Sequence, residues 1–203
     1  DNRCAYCVIP YLRGRYRSRP MESLLEEARG LAEGGVRELM VIAQDITRYG
    51  TDLYGKRRLA ELLRELCRMD FHWIRLHYLY PDEIDQELID VIAEEPKIVK
   101  YLDIPIQHLS DKILRAMNRR GNGALISDVI STLREDIPDL VLRTSIIVGF
   151  PGEGEEEFEE LCRLLPGYHF QRAGVFTFSA EEGAPAAAMP DQVPEDVAKH
   201  RME

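Results

Sequence analysis

Apolar and polar positions alternate along this chain in two rhythms, and the switches between them mark the elements. Pro20 stands where a helix opens. Met21–Glu33 then places Leu24, Leu25, Ala28, Leu31 and Ala32 on one face, which predicts an amphipathic helix stopped by Gly34-Gly35. The short apolar run Glu38–Ala43 predicts a buried strand. Helical periodicity returns at Leu59–Met69, Asp85–Glu94, Leu125–Glu135 and Glu155–Leu165, the last with three glutamates at its positive end. Extended runs fall at Trp73–Leu79, Lys100–Ile106, Val141–Val148 and Ala173–Phe178. A short helix, Asp111–Met117, is predicted with Ser110 as its N-cap, followed by a turn at Arg119–Gly123. Ser179–Pro194, rich in Ala, Gly, Pro and Glu, reads as a loop, and Glu195–Glu203 begins another helix.

Strand and helix therefore alternate at about thirty residues, the size of a βαβ unit. That period predicts an α/β fold with a parallel sheet, either an open doubly wound sheet or a barrel. Side chains alternate between faces along a strand. Arg143, Ser145 and Ile147 thus share one face, opposite Leu142, Thr144, Ile146 and Val148, and Arg75 and His77 share a face opposite Ile74, Leu76 and Tyr78. A closed, packed barrel fills its interior with branched apolar residues. The polar faces are compatible with a wetter, ligand-lined interior or with an outer face paired to helix charges, and the pattern leaves both open. Gln44-Asp45, Gln107-His108 and Gly149-Phe-Pro-Gly-Glu153 each follow the C-terminal end of a strand, the edge at which α/β folds bind ligands.

Composition narrows the class. The chain's 203 residues, 45% hydrophobic and 31% charged, suffice for a sizeable core. Its longest apolar stretch, around Ile146–Phe150, is far too short to span a bilayer. Four cysteines do not make a disulfide scaffold, and a reducing cytoplasm fits them best. Cys67 and Cys162 lie in helical patterns and are expected to be ordinary buried thiols. A net charge of −10 opposes phosphate-rich partners and leans towards a protein or small-molecule substrate.

Chemistry concentrates at the start. Cys4-Ala-Tyr6-Cys7 places two thiols on one tight loop, with Asn2 and Arg3 before it and Pro10 after it. Arg13, Arg15, Arg17 and Arg19 follow at alternate positions, able to flank an anionic ligand or an acidic partner, or simply to be solvated. By itself the C-x-x-C pair is compatible with half a zinc site, a redox dithiol, an iron–sulfur site or two unremarkable thiols.

Taken whole, Asp1-Asn-Arg-Cys-Ala-Tyr-Cys-Val-Ile-Pro-Tyr-Leu-Arg-Gly-Arg-Tyr-Arg-Ser-Arg19 closely resembles the cluster loop of the radical S-adenosylmethionine methylthiotransferase family, C-x-x-x-C-x-x-C followed by I-P and R-G…S-R segments. Ala43-Gln-Asp45…Tyr49-Gly50, Arg75-Leu-His-Tyr-Leu-Tyr-Pro81, Tyr101–His108, Arg143–Glu153 and Phe178–Gly183 are similar to further blocks of that family, so the resemblance covers essentially the whole chain. It implies a partial (βα)6 TIM-like barrel of the radical SAM type, whose first strand would precede this sequence. It also implies a core domain over residues 1–180, then an exit loop and the start of a helix at 181–203 leading to a C-terminal domain outside the sequence.

The same resemblance implies the chemistry. Cys4 and Cys7 match the second and third cluster cysteines, the first lying immediately before Asp1, so the chain as it stands does not supply all three thiolates. They would hold a [4Fe–4S] cluster whose remaining iron takes the amino and carboxylate groups of S-adenosylmethionine. Reductive cleavage then gives a deoxyadenosyl radical, which removes a hydrogen from the substrate's β-carbon. A methylthio group follows with help from a second [4Fe–4S] cluster in an N-terminal domain outside this sequence. Tyr6 is expected near the adenine and Arg143 at the cofactor carboxylate. Gln44, Gln107 and Ser145 are expected to hydrogen-bond cofactor or substrate, and no residue is assigned a catalytic role. Of the family's two close branches, Gln44-Asp45 and Tyr101–His108 resemble the one that modifies an aspartate of a ribosomal small-subunit protein. The branch that modifies an adenosine of transfer RNA is the alternative, and a non-redox zinc-binding or scaffold module is the alternative from another class. The implied partners are the ribosomal protein and a reductant protein in the cytoplasm, with no membrane, and with nucleic acid not expected at this domain.

Overall fold

The computed structural model describes residues 2–203, so Asp1, the first residue of the cysteine-loop motif, lies outside the described residues. In chain order the elements are α1 (Ile9–Arg13), α2 (Met21–Glu33), β1 (Glu38–Ile42), α3 (Thr51–Tyr54), α4 (Leu59–Cys67), β2 (Trp73–His77), α5 (Gln86–Glu94), β3 (Ile98–Asp103), α6 (Asp111–Ala116), α7 (Gly123–Asp136), β4 (Val141–Val148), α8 (Glu155–Leu164), β5 (Arg172–Thr177) and α9 (Glu195–Met202). The five strands belong to one sheet in the order β1-β2-β3-β4-β5. The strands pair in parallel, with Glu38 to Ile42 opposite Trp73 to His77 and Arg143 to Val148 opposite Arg172 to Thr177. This is the α/β class that the thirty-residue period predicts, and no described helix is long and apolar enough to cross a membrane.

The chain divides into two compact units. One comprises Arg17–Ile104 and Val129–Leu142, the other the residues up to Tyr16 with Pro105–Asp128 and Arg143–Glu203. In the first, α4 buries Leu59, Leu62, Leu63 and Leu66 and packs on α5, which buries Leu88, Ile89, Val91 and Ile92 and lies against β3. Ile74, Leu76 and Leu102 complete this core from the strands. Asp85 caps α5, its carboxylate accepting from Leu88 N–H at 3.0 Å. At the other end the Lys100 ammonium donates to the carbonyls of Ile92, Ala93 and Glu95, which the helix end leaves without intrahelical partners. In the second unit β4 alternates strictly from Arg143 on: Thr144, Ile146 and Val148 are buried, and Arg143, Ser145 and Ile147 are half-buried.

Several expectations are corrected. β1 is not a buried strand: Met40 is 53% and Ile42 62% exposed. It is the edge of the sheet, and these two side chains register with Arg75 and His77 on the polar face of β2. On α2, Leu31 is exposed and burial falls on Met21 and Ala28. Cys67 is buried as expected, but Cys162 is exposed, because the α8 stripe that faces inward runs through Leu161. Ser110 stands at the N-cap of α6 without a side-chain cap; its N–H donates to His108 Nδ1 at 2.9 Å. Pro10, after the cysteine loop, sits at the start of the one-turn helix α1.

The loop after β4 depends on Gly149. Its φ of +72° is left-handed, and a Cβ there would stand inside van der Waals contact with Ala198 of α9. Gly149→Ala is expected to destabilise the protein by about 2–4 kcal/mol, from overpacking and an unfavourable backbone conformation. Chemical denaturation measures this, and an unchanged midpoint would show that α9 does not press on this loop.

Candidate functional site

The cysteine loop is built backbone first. Cys7 N–H donates to Cys4 O at 3.0 Å, closing a turn over Ala5 and Tyr6. Cys4 is buried and Cys7 half-buried, and both are free thiols. Among the described residues no group of three or more His, Cys, Asp or Glu is placed to hold a metal ion, so the loop offers two soft ligands.

Four consecutive residues after α6 grip this loop. Met117 O accepts from Ala5 N–H at 2.8 Å, and the Asn118 amide donates to Arg3 O at 2.7 Å. Arg119 Nη1 points at Cys4 Sγ across 3.9 Å while its Nη2 donates to Pro105 O at 2.7 Å. Arg120 donates to Asn2 Oδ1 at 2.6 Å. Asn118 takes the left-handed φ of +54° that lets the chain turn off the helix, a conformation asparagine tolerates. From the opposite side Ala186 N–H donates to Ala5 O at 2.8 Å. A small apolar core of Ala5, Ile113, Met117, Phe150 and Ala186 lies beneath, with Tyr6, Ile147, Phe178 and Met189 packed against it. Phe150 and Phe178 meet edge to face at 5.3 Å.

Ile147 links this core to the polar face of β4. It lies on the same face as Arg143 and Ser145, so the strand face that reaches the Tyr6 cluster is the one carrying the guanidinium and the hydroxyl. Arg143 Nη1 donates to Ser145 Oγ at 3.3 Å. Gly174 on β5, in register with Ser145, leaves room beside the guanidinium. Gln107 completes the set: its N–H donates to Ser145 O at 2.9 Å, and its carbonyl accepts from Ile147 N–H at 2.8 Å. Those two bonds hold Gln107 at φ +69°, where a non-glycine residue carries about 1–2 kcal/mol of strain, and such residues gather at functional sites.

One unit thus brings together Cys4, Tyr6, Cys7, Gln107, Arg143 and Ser145. Gln44 belongs to the other unit and is exposed, while its neighbour Asp45 is buried and accepts from Thr47 N–H and Thr47 Oγ, a turn-building role. On β2 the polar face pairs within the sheet, not with helix charges: Arg75 Nε donates to Glu38 on β1 at 2.6 Å. His108 is fully buried and structural. Its Nδ1 accepts from Ser110, which leaves the proton on Nε2, 3.2 Å from Glu153 Oε2. Glu153 Oε1 accepts from Gly149 N–H at 2.9 Å and from Arg201 of α9 at 2.8 Å. Arg119 is the residue that sequence reasoning misses. An arginine just past a helix end reads as part of a turn, and nothing local reveals a partner 115 residues away.

Relatives bear on this arrangement. The model of the Radical SAM superfamily matches residues 1–165. The ribosomal protein uS12 methylthiotransferase RimO of Lachnoclostridium phytofermentans is 57% identical over 198 residues, 97% of this chain and 45% of its own length. That of Geobacter sulfurreducens is 57% identical over 202 residues, 99% and 45%. The chain spans about half the length of the curated relatives it matches. Among solved structures, coproporphyrinogen III oxidase (HemN) of Escherichia coli, described as a radical SAM enzyme, superposes with a TM-score of 0.71 at 19% identity, over 98% of this chain and 47% of its own. The radical S-adenosylmethionine methyltransferase TsrM of Kitasatospora setae, with cobalamin and [4Fe–4S] cluster bound, gives 0.70 at 19% identity, over 87% and 34%. Both are likenesses of fold.

Away from this loop, burial and the nearby Glu95 push the pKa of Cys67 up to about 12. Its thiolate is therefore scarce at pH 8 and gains only as pH rises towards 12. Iodoacetamide at pH 8 is expected to leave Cys67 unmodified in the native protein and to label it on unfolding, as read by peptide mass. Native labelling at the rate of a free cysteine would contradict its burial.

Proposed function

The chain belongs to the Radical SAM superfamily, and from that premise we propose that it is the core of a methylthiotransferase acting on a ribosomal small-subunit protein. The observation that carries this is 57% identity across nearly the whole chain to two proteins named ribosomal protein uS12 methylthiotransferase RimO. Likeness in a few motifs alone would leave the substrate open. Here the whole of the core is alike.

The donor set fits the iron–sulfur group the superfamily implies. Cys4 and Cys7 are free thiols on one turn, and a buried guanidinium points at one of them. Thiolates are the ligands such clusters take. These two would hold two corners of a [4Fe–4S] cluster, with a third thiolate from a cysteine preceding Asp1. When bound, the cluster supplies the electron that cleaves the sulfonium of S-adenosylmethionine. The chain's own residues bind and orient. Arg143, steadied by Ser145, offers a guanidinium fork to the cofactor's carboxylate. Tyr6, packed on the core beneath the loop, offers a ring face to the adenine. Gln107, held at fixed φ by two backbone bonds, presents its amide to cofactor or substrate, and Gln44 is a weaker candidate for the same.

The acceptor in this reading is the β-carbon of an aspartate of the ribosomal protein, and the chain's −10 charge suits a protein substrate better than an RNA backbone. Residues 1–180 form the radical core and 181–203 lead towards a further domain. An N-terminal domain carries a second [4Fe–4S] cluster, and a reductant protein of the cytoplasm supplies electrons. The complete protein, loaded anaerobically with iron and sulfide, is to be incubated with S-adenosylmethionine and reductant beside uS12 or unmodified transfer RNA. A mass gain of one methylthio group is expected on the ribosomal protein. Gain on the RNA alone moves the protein to the other branch, and a colourless zinc-bound protein removes the radical chemistry altogether.

A further inference from the structure

The chain is strongly acidic, yet its charge is not evenly spread. Residues 2–16 and 112–122 carry seven of its 26 lysines and arginines and none of its 36 carboxylates. The fold joins these two segments at the cysteine loop, within one compact unit. Arg119 is buried and Lys112 pairs with Glu157, which leaves Arg3, Arg115 and Arg120 exposed around the grip. Asn118 N–H donates to Arg115 O at 3.0 Å, while the Asn118 side-chain amide donates to Arg3 O at 2.7 Å. Arg3 and Arg115 thus flank one asparagine, and Arg120 joins them through its 2.6 Å bond to Asn2 Oδ1. Neither Arg3 nor Arg115 has an ion-pair partner among the described residues. The one carboxylate of α6, Asp111, accepts from Gly123 N–H at 2.8 Å. A basic surface therefore begins one residue from the buried Cys4.

We propose that this surface, Arg3, Arg115 and Arg120 around Asn118, is where an acidic one-electron-transfer protein docks to reduce the cluster. The inference rests on the reading of Cys4 and Cys7 as cluster ligands. One electron leaves the reduced donor and enters the cluster, and no atom is transferred. Electron transfer between proteins falls steeply with distance, so a donor works only where it docks close to the acceptor. Consecutive Cα atoms are about 3.8 Å apart, which sets a donor seated on Arg3 close to Cys4. The chain's charge selects the sign of the donor. At a net −10, the protein as a whole repels an acidic partner, and a local basic surface steers such a partner to the thiol loop. A basic donor would be drawn to the acidic remainder, away from the loop. Electron-transfer encounters need only a small interface, and charges at its rim set the association rate. Nucleic acid fits less well, because its backbone asks for many phosphate contacts and these arginines form a compact cluster.

The test follows reduction of the complete protein, loaded anaerobically with iron and sulfide, by stopped-flow absorbance at low salt. Two reductants are compared: a reduced acidic ferredoxin, and photoreduced 5-deazariboflavin, which is small and uncharged. Ferredoxin affinity, by biolayer interferometry, is the second readout. The variants are the pairs Arg3→Glu with Arg115→Glu and Arg3→Gln with Arg115→Gln, beside Arg163→Glu, an exposed control on α8. The grip uses Arg3 and Arg115 only through backbone carbonyls, so it survives these changes. The Glu pair is expected to lower affinity and to slow reduction by ferredoxin about tenfold or more, with the Gln pair between it and wild type. The gap narrows as salt rises. Reduction by the deazaflavin, and every rate of the control, match wild type. The Gln pair and its salt dependence decide the matter where the Glu pair fails to load. Equal ferredoxin rates and affinities in wild type and variants overturn the proposal, and so does equal slowing with both reductants, which assigns the arginines to the loop alone. Binding of a uridine oligonucleotide that the variants lose, with ferredoxin reduction unchanged, gives the surface to nucleic acid and also overturns it. Iron counting on the wild type comes first: a complete protein that takes up no cluster defeats the cluster reading itself, and this inference with it.

Discussion

The grip of Met117–Arg120 on Asn2–Ala5 is the constraint from which the site follows. A loop of this composition cannot order itself: it has little apolar surface to bury, and fixing each residue costs about 1–2 kcal/mol of backbone entropy. Here the cost is offset from outside. Each of four successive residues meets one residue of the loop, and Ala186 meets it from the other side. The apolar core beneath uses the same residues, Ala5, Met117 and Ala186, so packing and hydrogen bonding specify one loop position. The two thiols are thereby fixed before any ligand arrives, which is how a site avoids ordering costs on binding.

The same unit supports the rim of β4 from behind. Glu153 collects Gly149 N–H and the Arg201 guanidinium, with His108 packed against its other oxygen. All three side chains are almost wholly buried. A buried charge pair of this kind contributes little net stability but fixes geometry, because removing either partner strands the other. The pair stations α9 against the turn that follows Arg143 and Ser145.

How much of this the sequence discloses depends on the range of the interaction. β4 is legible to its ends, Val141–Val148, because a strict alternation over eight residues has no competing reading. Its polar face, open to two readings in the sequence, becomes definite through Ile147, which joins that face to the Tyr6 core. β1 is legible as a strand but not as an edge, since an apolar run reports burial only when neighbours cover it. Cys4 and Cys7 are visible by spacing. Arg119 and the strain at Gln107 are not, because one depends on a contact across 115 residues and the other on two bonds to a different strand. Gln44, read in the sequence as part of a polar cluster after a strand, is exposed and belongs to the unit that does not hold the thiols.

Native-state hydrogen exchange at the Ala5 amide tests the grip most directly. That N–H is bonded to Met117 O, in a residue 4% exposed on a loop of little apolar surface, whose amides exchange freely unless held. The grip requires protection of the Ala5 amide comparable with that of the β4 amides, such as Ile147. Exchange at the rate of an unstructured segment would contradict it and leave the thiols without a fixed position.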